Sequence, residues 1–265
     1  MKVMAVRLIT SGIGLVVFFL ALFAGQGIFT AAICVVTLGM LFELYNAIKY
    51  KNALNITGVV AAAVLMTGTI IGGVYREFFV AIFVMIYLGV MVWLHGVITY
   101  REISTHALLT FFVSFFFGTL IRVYVDFGVY YVLMVFVCAW TTDSGAYFTG
   151  RAIGKHKLIP RVSPKKTVEG AIGGVVTSLV CCWIYTFILN CVTVSDLGFI
   201  TVTVMALVAS LCSQLGDLVA SAIKRDCDVK DFGNLLPGHG GLMDRFDSVM
   251  YITPVIYYIL LIATK

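Results

Sequence analysis

The chain of 265 residues is 61% hydrophobic and only 12% charged, about half the charged fraction of an average soluble domain. Its mean hydropathy of +1.05 excludes a water-soluble globular fold, so the solvent for most of the chain is lipid. The net charge of +5 does not point to nucleic acid, because the basic residues gather beside the apolar runs, where anionic headgroups attract them.

Nine apolar stretches approach the length of roughly 20 residues that a membrane-spanning helix needs; they cover 6–24, 28–47, 56–74, 78–95, 104–121, 128–146, 168–190, 197–222 and 248–264. Helix follows because backbone polar groups in lipid must be satisfied within the segment. The run at 111–118 (FFVSFFFG) lacks the alternation of a barrel strand. The first stretch has Lys2 before it and Arg7 at its start, then an uninterrupted apolar run that is long for a signal h-region and has no small-x-small cleavage site after it. It reads as a retained anchor.

The positive charges set a topology. With nine spans, 15 of the 18 Lys and Arg fall on the face that holds the N-terminus, and Arg76, Arg122 and Lys265 fall on the other. The positive-inside rule then places the N-terminus in the cytoplasm and the C-terminus outside, on the periplasmic face. The expected fold is an all-α polytopic membrane protein of about nine transmembrane helices.

An N-terminal region, 1–125, is nearly pure hydrocarbon with short connections, suited to housing lipid tails or a dimer contact. Glu43 sits near the cytoplasmic end of the second span. An acid there is either functional or a snorkelling partner of Lys49. His95, Arg101 and His106 read as interfacial. The seven cysteines form no C-x-x-C pair and read as buried, reduced thiols.

The region 126–265 differs. It carries two polar cytoplasmic loops, 147–167 and 223–247, and the acids Asp143, Glu169 and Asp217 in apolar surroundings. Such acids are costly in lipid and belong in a bundle interior or a wet cavity. In the first loop, Ser163-Pro164 reads as a turn. Lys165 and Lys166 stand just before the next helix, where dipole and ammonium together favour a phosphate. In the eighth span, Ser213, Gln214, Asp217, Ser221 and Lys224 fall on one helical face. Ser and Gln alone would suit a helix–helix hydrogen-bond seam; the Asp in the stripe points to function.

The second loop mixes Lys224, Arg225, Lys230 and Arg245 with Asp226, Asp228, Asp231, Asp244 and Asp247, and contains four glycines. Gly238, Gly240 and Gly241 let backbone amides approach phosphate oxygens. Asp244 and Asp247, three apart, can share a helix face and reach one metal cluster. Mg²⁺ suits such carboxylates, and the bases would neutralise a polyphosphate. No Walker loop, no dinucleotide fingerprint and no nucleophile–base constellation accompanies them.

These residues carry a resemblance. The 27-residue run Ser221–Asp247 resembles the signature of bacterial phosphatidate cytidylyltransferases, also called CDP-diacylglycerol synthases. The matching features are Ser221, Ile223, Lys224-Arg225, Lys230-Asp231, Gly233, Leu236-Pro237, His239-Gly240-Gly241-Leu242 and Asp244-Arg245-Phe246-Asp247. Asp143-Ser144-Gly145-Ala146-Tyr147, Ser163-Pro164-Lys165-Lys166-Thr167 and Ser213-Gln214-Leu215-Gly216-Asp217-Leu218 are similar as well. Val162 stands where many members have Ile, and Cys227 occupies a variable position. The motifs cover roughly 140–250; the first half resembles the family only in hydropathy.

The resemblance implies a nucleotidyltransferase that joins CTP to phosphatidic acid, giving CDP-diacylglycerol and pyrophosphate. It also implies Mg²⁺, a homodimer and residence in the inner membrane with the active site facing the cytoplasm. Asp217 and Asp244 would hold the metal, with Asp247 and Asp143 in support; a second cation, K⁺ or a second Mg²⁺, is compatible with the same acids. Ser163, Lys165, Lys166, Ser221, Lys224, Arg225, His239, Gly240, Gly241 and Arg245 would bind triphosphate or lipid phosphate. Among these, Lys166, Lys224 and Arg225 join Asp217, Asp244 and Asp247 in catalysis. His239 either contacts phosphate or orders the glycine turn. The alternatives are another CTP-using lipid enzyme, a polyprenol kinase or a CDP-archaeol synthase, and, from a different class, an ion-coupled transporter. Transporters often repeat their halves, whereas polar content here gathers in two loops.

Overall fold

The computed structural model describes residues 2–193, 197–236, 238 and 240–264, with the backbone alone for residues 2–8. The apolar runs form helices throughout: α1 (Lys2–Phe23), α2 (Gln26–Ile48), α3 (Asn52–Ile71), α4 (Tyr75–Trp93), α5 (Tyr100–Phe111), α6 (Gly118–Phe127), α7 (Val129–Ile153), α8 (Val168–Val192), α9 (Phe199–Asp226) and α10 (Met243–Ala263). A π-helical stretch, Phe112–Phe117, joins α5 to α6, so that Tyr100–Phe127 makes one continuous span. Among the described residues, eight helices are long and apolar enough to cross a membrane, and Ile9–Phe23 of α1 adds a shorter apolar one. The chain is thus an all-helical polytopic membrane protein.

Helix ends correct the expected loops. The loop drawn at 147–167 begins only after Ile153, because α7 continues through the glycine-containing motif; its remainder folds into an antiparallel hairpin, β1 (Lys157–Ile159) and β2 (Ser163–Thr167). The loop drawn at 223–247 shortens to 227–242, because α9 runs to Asp226 and α10 starts at Met243. Lys224 and Arg225 therefore occupy the last turn of α9, where the helix dipole favours cations.

The chain divides into two compact bodies. One comprises Met1–Val125 with Val229–Arg245; the other comprises Asp126–Asp228 with Phe246–Lys265. The first packs Leu54, Ala61 and Leu65 of α3 against Phe83 and Tyr87 of α4 and Ile103 of α5. At α5, Thr99 and Glu102 form a reciprocal cap: Thr99 Oγ1 accepts from Glu102 N, and Thr99 N donates to Glu102 Oε2 at 3.0 Å. His106, expected at the interface, is fully buried instead. It lies nearly two turns into the span, where Tyr87 Oη is 2.8 Å from its Nδ1 and the Tyr45 ring stacks on it at 4.4 Å. Thr110 Oγ1 lies 2.6 Å from Tyr45 Oη. A polar side chain in lipid is tolerated when neighbouring helices satisfy it.

In the second body α7 and α8 pack through small residues. A Cβ at Gly174 would stand 2.8 Å from Thr142 O, and one at Gly170 would stand 2.7 Å from Ala146 O. Gly145 meets Thr177, and Gly173 meets Thr149. Missing side chains let the two backbones approach, which is how helices gain dispersion contact in lipid. Gln214 Nε2 of α9 donates to Ala171 O of α8 at 3.1 Å. The upper polar stripe of α9 is in this respect a helix–helix seam. Gly216 makes room for the Tyr251 ring of α10.

Candidate active site

Three acids of the second body come together: Asp143 on α7, Asp217 on α9 and Asp247 on α10. Asp143 and Asp247 interact electrostatically with Asp217 and with each other. Lys166 Nζ lies 2.5 Å from Asp217 Oδ2, with both side chains partly exposed. Lys224, one turn below Ser221 on α9, attracts Asp247. Ser221 Oγ donates to Asp217 Oδ1 at 3.5 Å, and Ser248 Oγ donates to Asp143 Oδ1 at the same distance. Asp247 is the most enclosed of the three, at 8% exposure, and its Oδ1 accepts the Ser248 N–H at 2.8 Å. Three like charges at close quarters repel unless compensated. Two ammonium groups, those of Lys166 and Lys224, face these three carboxylates. Among the described residues, no three Asp, Glu, His or Cys side chains stand close enough to enclose a metal ion by themselves.

The hairpin delivers Lys166. Successive residues of a strand face opposite ways: Lys165 is exposed, while Lys166 turns to Asp217. Ser163 pairs with Ile159 at the other end of β2. Glu169, in the first turn of α8, fixes the approach to the hairpin. Its Oε2 accepts the N–H groups of Lys155 at 3.1 Å and His156 at 3.2 Å, and its Oε1 lies 2.6 Å from His156 Nδ1. Thr167 caps α8 by accepting the Gly170 N–H at 3.1 Å. The buried-acid signal at Glu169 thus resolves into loop anchoring.

The glycine loop lies in the first body. Leu236 N donates to Gly240 O at 3.0 Å, closing a tight turn. Gly238 and Gly240 have φ of 78° and 84°, a region that L side chains rarely enter. Asp244 Oδ2 accepts from Phe232 N at 2.8 Å and Gly241 N at 3.1 Å, tying the loop to the start of α10. Arg245 is exposed, and so is Arg225 at the end of α9. His239 lies outside the described residues. Asp217, Asp143, Asp247, Lys166, Lys224 and Ser221 therefore belong to one body, and Asp244, Arg245, Gly240 and Gly241 to the other.

Two participants were not assigned from sequence. Ser248 is a lone serine following Asp247, with only its helical position to mark it. Glu43 had the mark of an intramembrane acid, with Lys49 as its expected local partner; the donor that reaches its Oε2 is the N–H of Met243, 200 residues on, at 3.0 Å.

Residues 5–263 match the cytidylyltransferase family. The chain is 33% identical over 264 residues to a phosphatidate cytidylyltransferase of Bacillus subtilis (strain 168), covering 96% of each protein. It is 44% identical over 134 residues to the phosphatidate cytidylyltransferase of Staphylococcus haemolyticus (strain JCSC1435), 51% of this chain and 50% of that protein. It is also 44% identical over 131 residues to that of Haemophilus influenzae (strain ATCC 51907 / DSM 11121 / KW20 / Rd), 49% of this chain and 46% of that protein.

Proposed function

This chain belongs to the cytidylyltransferase family and is a nucleotidyltransferase of the membrane, and from that premise we propose that it transfers the cytidylyl group of CTP to phosphatidic acid. A phosphate oxygen of the lipid attacks the α-phosphorus of CTP in line. The bond from that phosphorus to the bridging oxygen breaks, pyrophosphate leaves, and CDP-diacylglycerol stays in the bilayer. A phosphate monoester is already ionised near neutral pH, so no strong general base is needed. Catalysis is mostly positioning and charge neutralisation.

The observation that carries this reading is the acid cluster of Asp143, Asp217 and Asp247 with Lys166 bound to Asp217. Mg²⁺ takes oxygen ligands and is commonly held by one or two carboxylates, with water and substrate phosphates completing the shell. The donor set here is of that kind: oxygen only, in excess of the local positive charge. Asp217 would hold the ion, with Asp247 and Asp143 in support, and K⁺ or a second Mg²⁺ is compatible with the same acids. When bound, Mg²⁺ supplies neutralisation of the triphosphate charge. Lys166 would exchange its carboxylate for a phosphate oxygen, and Lys224, Arg225, Lys165 and Arg245 would add positive charge for the triphosphate or the lipid phosphate. Ser163, Ser221 and the amides around Gly240 and Gly241 would complete the phosphate contacts, and His239 would either join them or order the glycine turn. The site faces the cytoplasm of an inner membrane, in line with the positive-inside split, and the enzyme works as a homodimer.

The test is pyrophosphate release by purified protein in detergent with CTP, phosphatidic acid and Mg²⁺, each omitted in turn. Release that needs all three bears the proposal out. Formation of CDP instead would make the protein a lipid kinase and move the attack to the terminal phosphorus.

A further inference from the structure

Gly39 and Glu43, one turn apart on α2, present one face to the loop that precedes α10. Gly39 leaves the space that Leu242 fills; a Cβ there would lie 2.6 Å from Leu242 Cδ1 and 4.0 Å from Leu235 Cδ1. Glu43, only 2% exposed, sends its carboxylate to the loop backbone. Its Oε2 accepts the Met243 N–H at 3.0 Å, and the amides of Leu235 and Leu242 also face it. Gly233 and Gly241 pass so close that a Cβ on either would overlap the carboxylate. From its other side the loop is held by Asp244, through Phe232 N and Gly241 N.

Four glycines give a segment weak conformational preferences of its own, so a fixed geometry must come from what it rests on. Backbone amides converging on a buried carboxylate are a strong, charge-assisted restraint. The Met243 N–H satisfies Oε2 of that acid, and burying the group without such a partner would be costly.

We infer that Glu43 is a positioning residue for the transfer reaction: it seats the Phe232–Met243 loop on α2, so that the glycine turn and Asp244 keep one arrangement. This rests on the reading that the loop handles phosphate. The first half of the chain then supports the chemistry through this acid, by way of the loop, besides embedding the enzyme in lipid.

The test is Glu43→Gln in the full chain, purified in detergent. The amide has the shape of the acid but no charge, and its NH₂ group faces backbone donors. Trypsin cleavage after Lys230 and Arg245 should become about tenfold faster, as loss of a charge-assisted hydrogen bond allows. Cleavage after Lys155 and Lys157, in the other body, should stay unchanged. The KM for CTP should rise about tenfold and kcat should fall about 100-fold, the cost of a misplaced site, while the KM for phosphatidic acid holds. A smaller folded fraction would lower kcat alone, so the KM split separates positioning from simple loss of structure. Should Glu43→Gln fail to fold, Gly241→Ala decides by the same criteria, since it keeps the charge and adds the colliding carbon. Unchanged loop cleavage, whether activity changes or not, overturns the seating role. Faster cleavage with unchanged kinetics overturns the reading that the loop serves the reaction. Formation of CDP in place of pyrophosphate would refute the proposed reaction, yet leave loop seating measurable by trypsin.

Discussion

Lys166 Nζ of the hairpin and Asp217 Oδ2 of α9 form a partly exposed ion pair at 2.5 Å, inside a group that also holds Asp143 and Asp247. The carboxylate proposed to hold a cation is thus engaged by the lysine proposed to hold a phosphate. Substrate and metal would separate this pair, each giving one member a new partner. Asp217→Asn should lower turnover about 1000-fold, the weight of several kcal/mol of charge stabilisation. The protein should remain folded, because Asp143 and Asp247 then repel a smaller negative charge. Pyrophosphate release and gel filtration on one preparation check both halves. Near-normal release would take the metal role from Asp217.

Lys166→Ala separates structure from chemistry. A partly exposed ion pair contributes about 1 kcal/mol or less, so the melting temperature should barely change. Loss of a preorganised positive group at a phosphate costs about 100-fold, and kcat/KM for CTP should fall accordingly. The Mg²⁺ concentration for half-maximal rate should fall too, because Asp217 loses its competing cation. A variant that melts early and keeps its kinetics would make the pair purely structural.

Glu169→Gln tests how the hairpin is held. The carboxylate accepts two backbone N–H groups and pairs with His156, whereas an amide in its place has one acceptor oxygen. Faster trypsin cleavage after Lys155 and Lys157 is expected, together with a kcat/KM for CTP about tenfold lower, as a charge-assisted contact to the lysine strand's support is lost. Cleavage at Lys230 should not respond. Equal acceleration at all sites would mean general loosening.

How much of this was legible in the sequence depends on the range of the interaction. Spans follow from hydropathy, a property of each segment alone, and all nine stretches are helical. Helix ends were harder, since Lys224 and Arg225 are polar yet continue α9, and Asp244 begins α10 as a helix-start acid. On α9 the polar stripe was visible, but its division was not: Gln214 turns to α8, whereas Asp217 turns to Lys166. The π-helical stretch at Phe112–Phe117 left no sign in a run of phenylalanines. Partners far apart in the chain were illegible altogether. Nothing near Glu43 announces Met243, and nothing near His106 announces Tyr87. In both cases the polar residue could be recognised while its partner waited on the packing of other helices.

The α7–α8 seam yields the last prediction. Gly174 lies against Thr142 O, where an added Cβ would come within 2.8 Å, and Ala146 Cβ stands 3.1 Å away. Backbone cannot yield as a flexible side chain can, so Gly174→Val must push the helices apart. Overpacking of this kind costs about 1–3 kcal/mol. Gly14 on α1 has nothing within 4 Å of its would-be Cβ, so Gly14→Val is the matched control for a β-branched residue in a lipid-facing helix. Thermal melting in detergent should fall by several degrees for Gly174→Val and stay put for Gly14→Val. Because α7 carries Asp143 and α8 begins at the lysine strand, turnover should fall with the seam as well. Equal melting temperatures for the two variants would show that α7 and α8 do not depend on close backbone contact, and the small residues along the seam would then need another explanation.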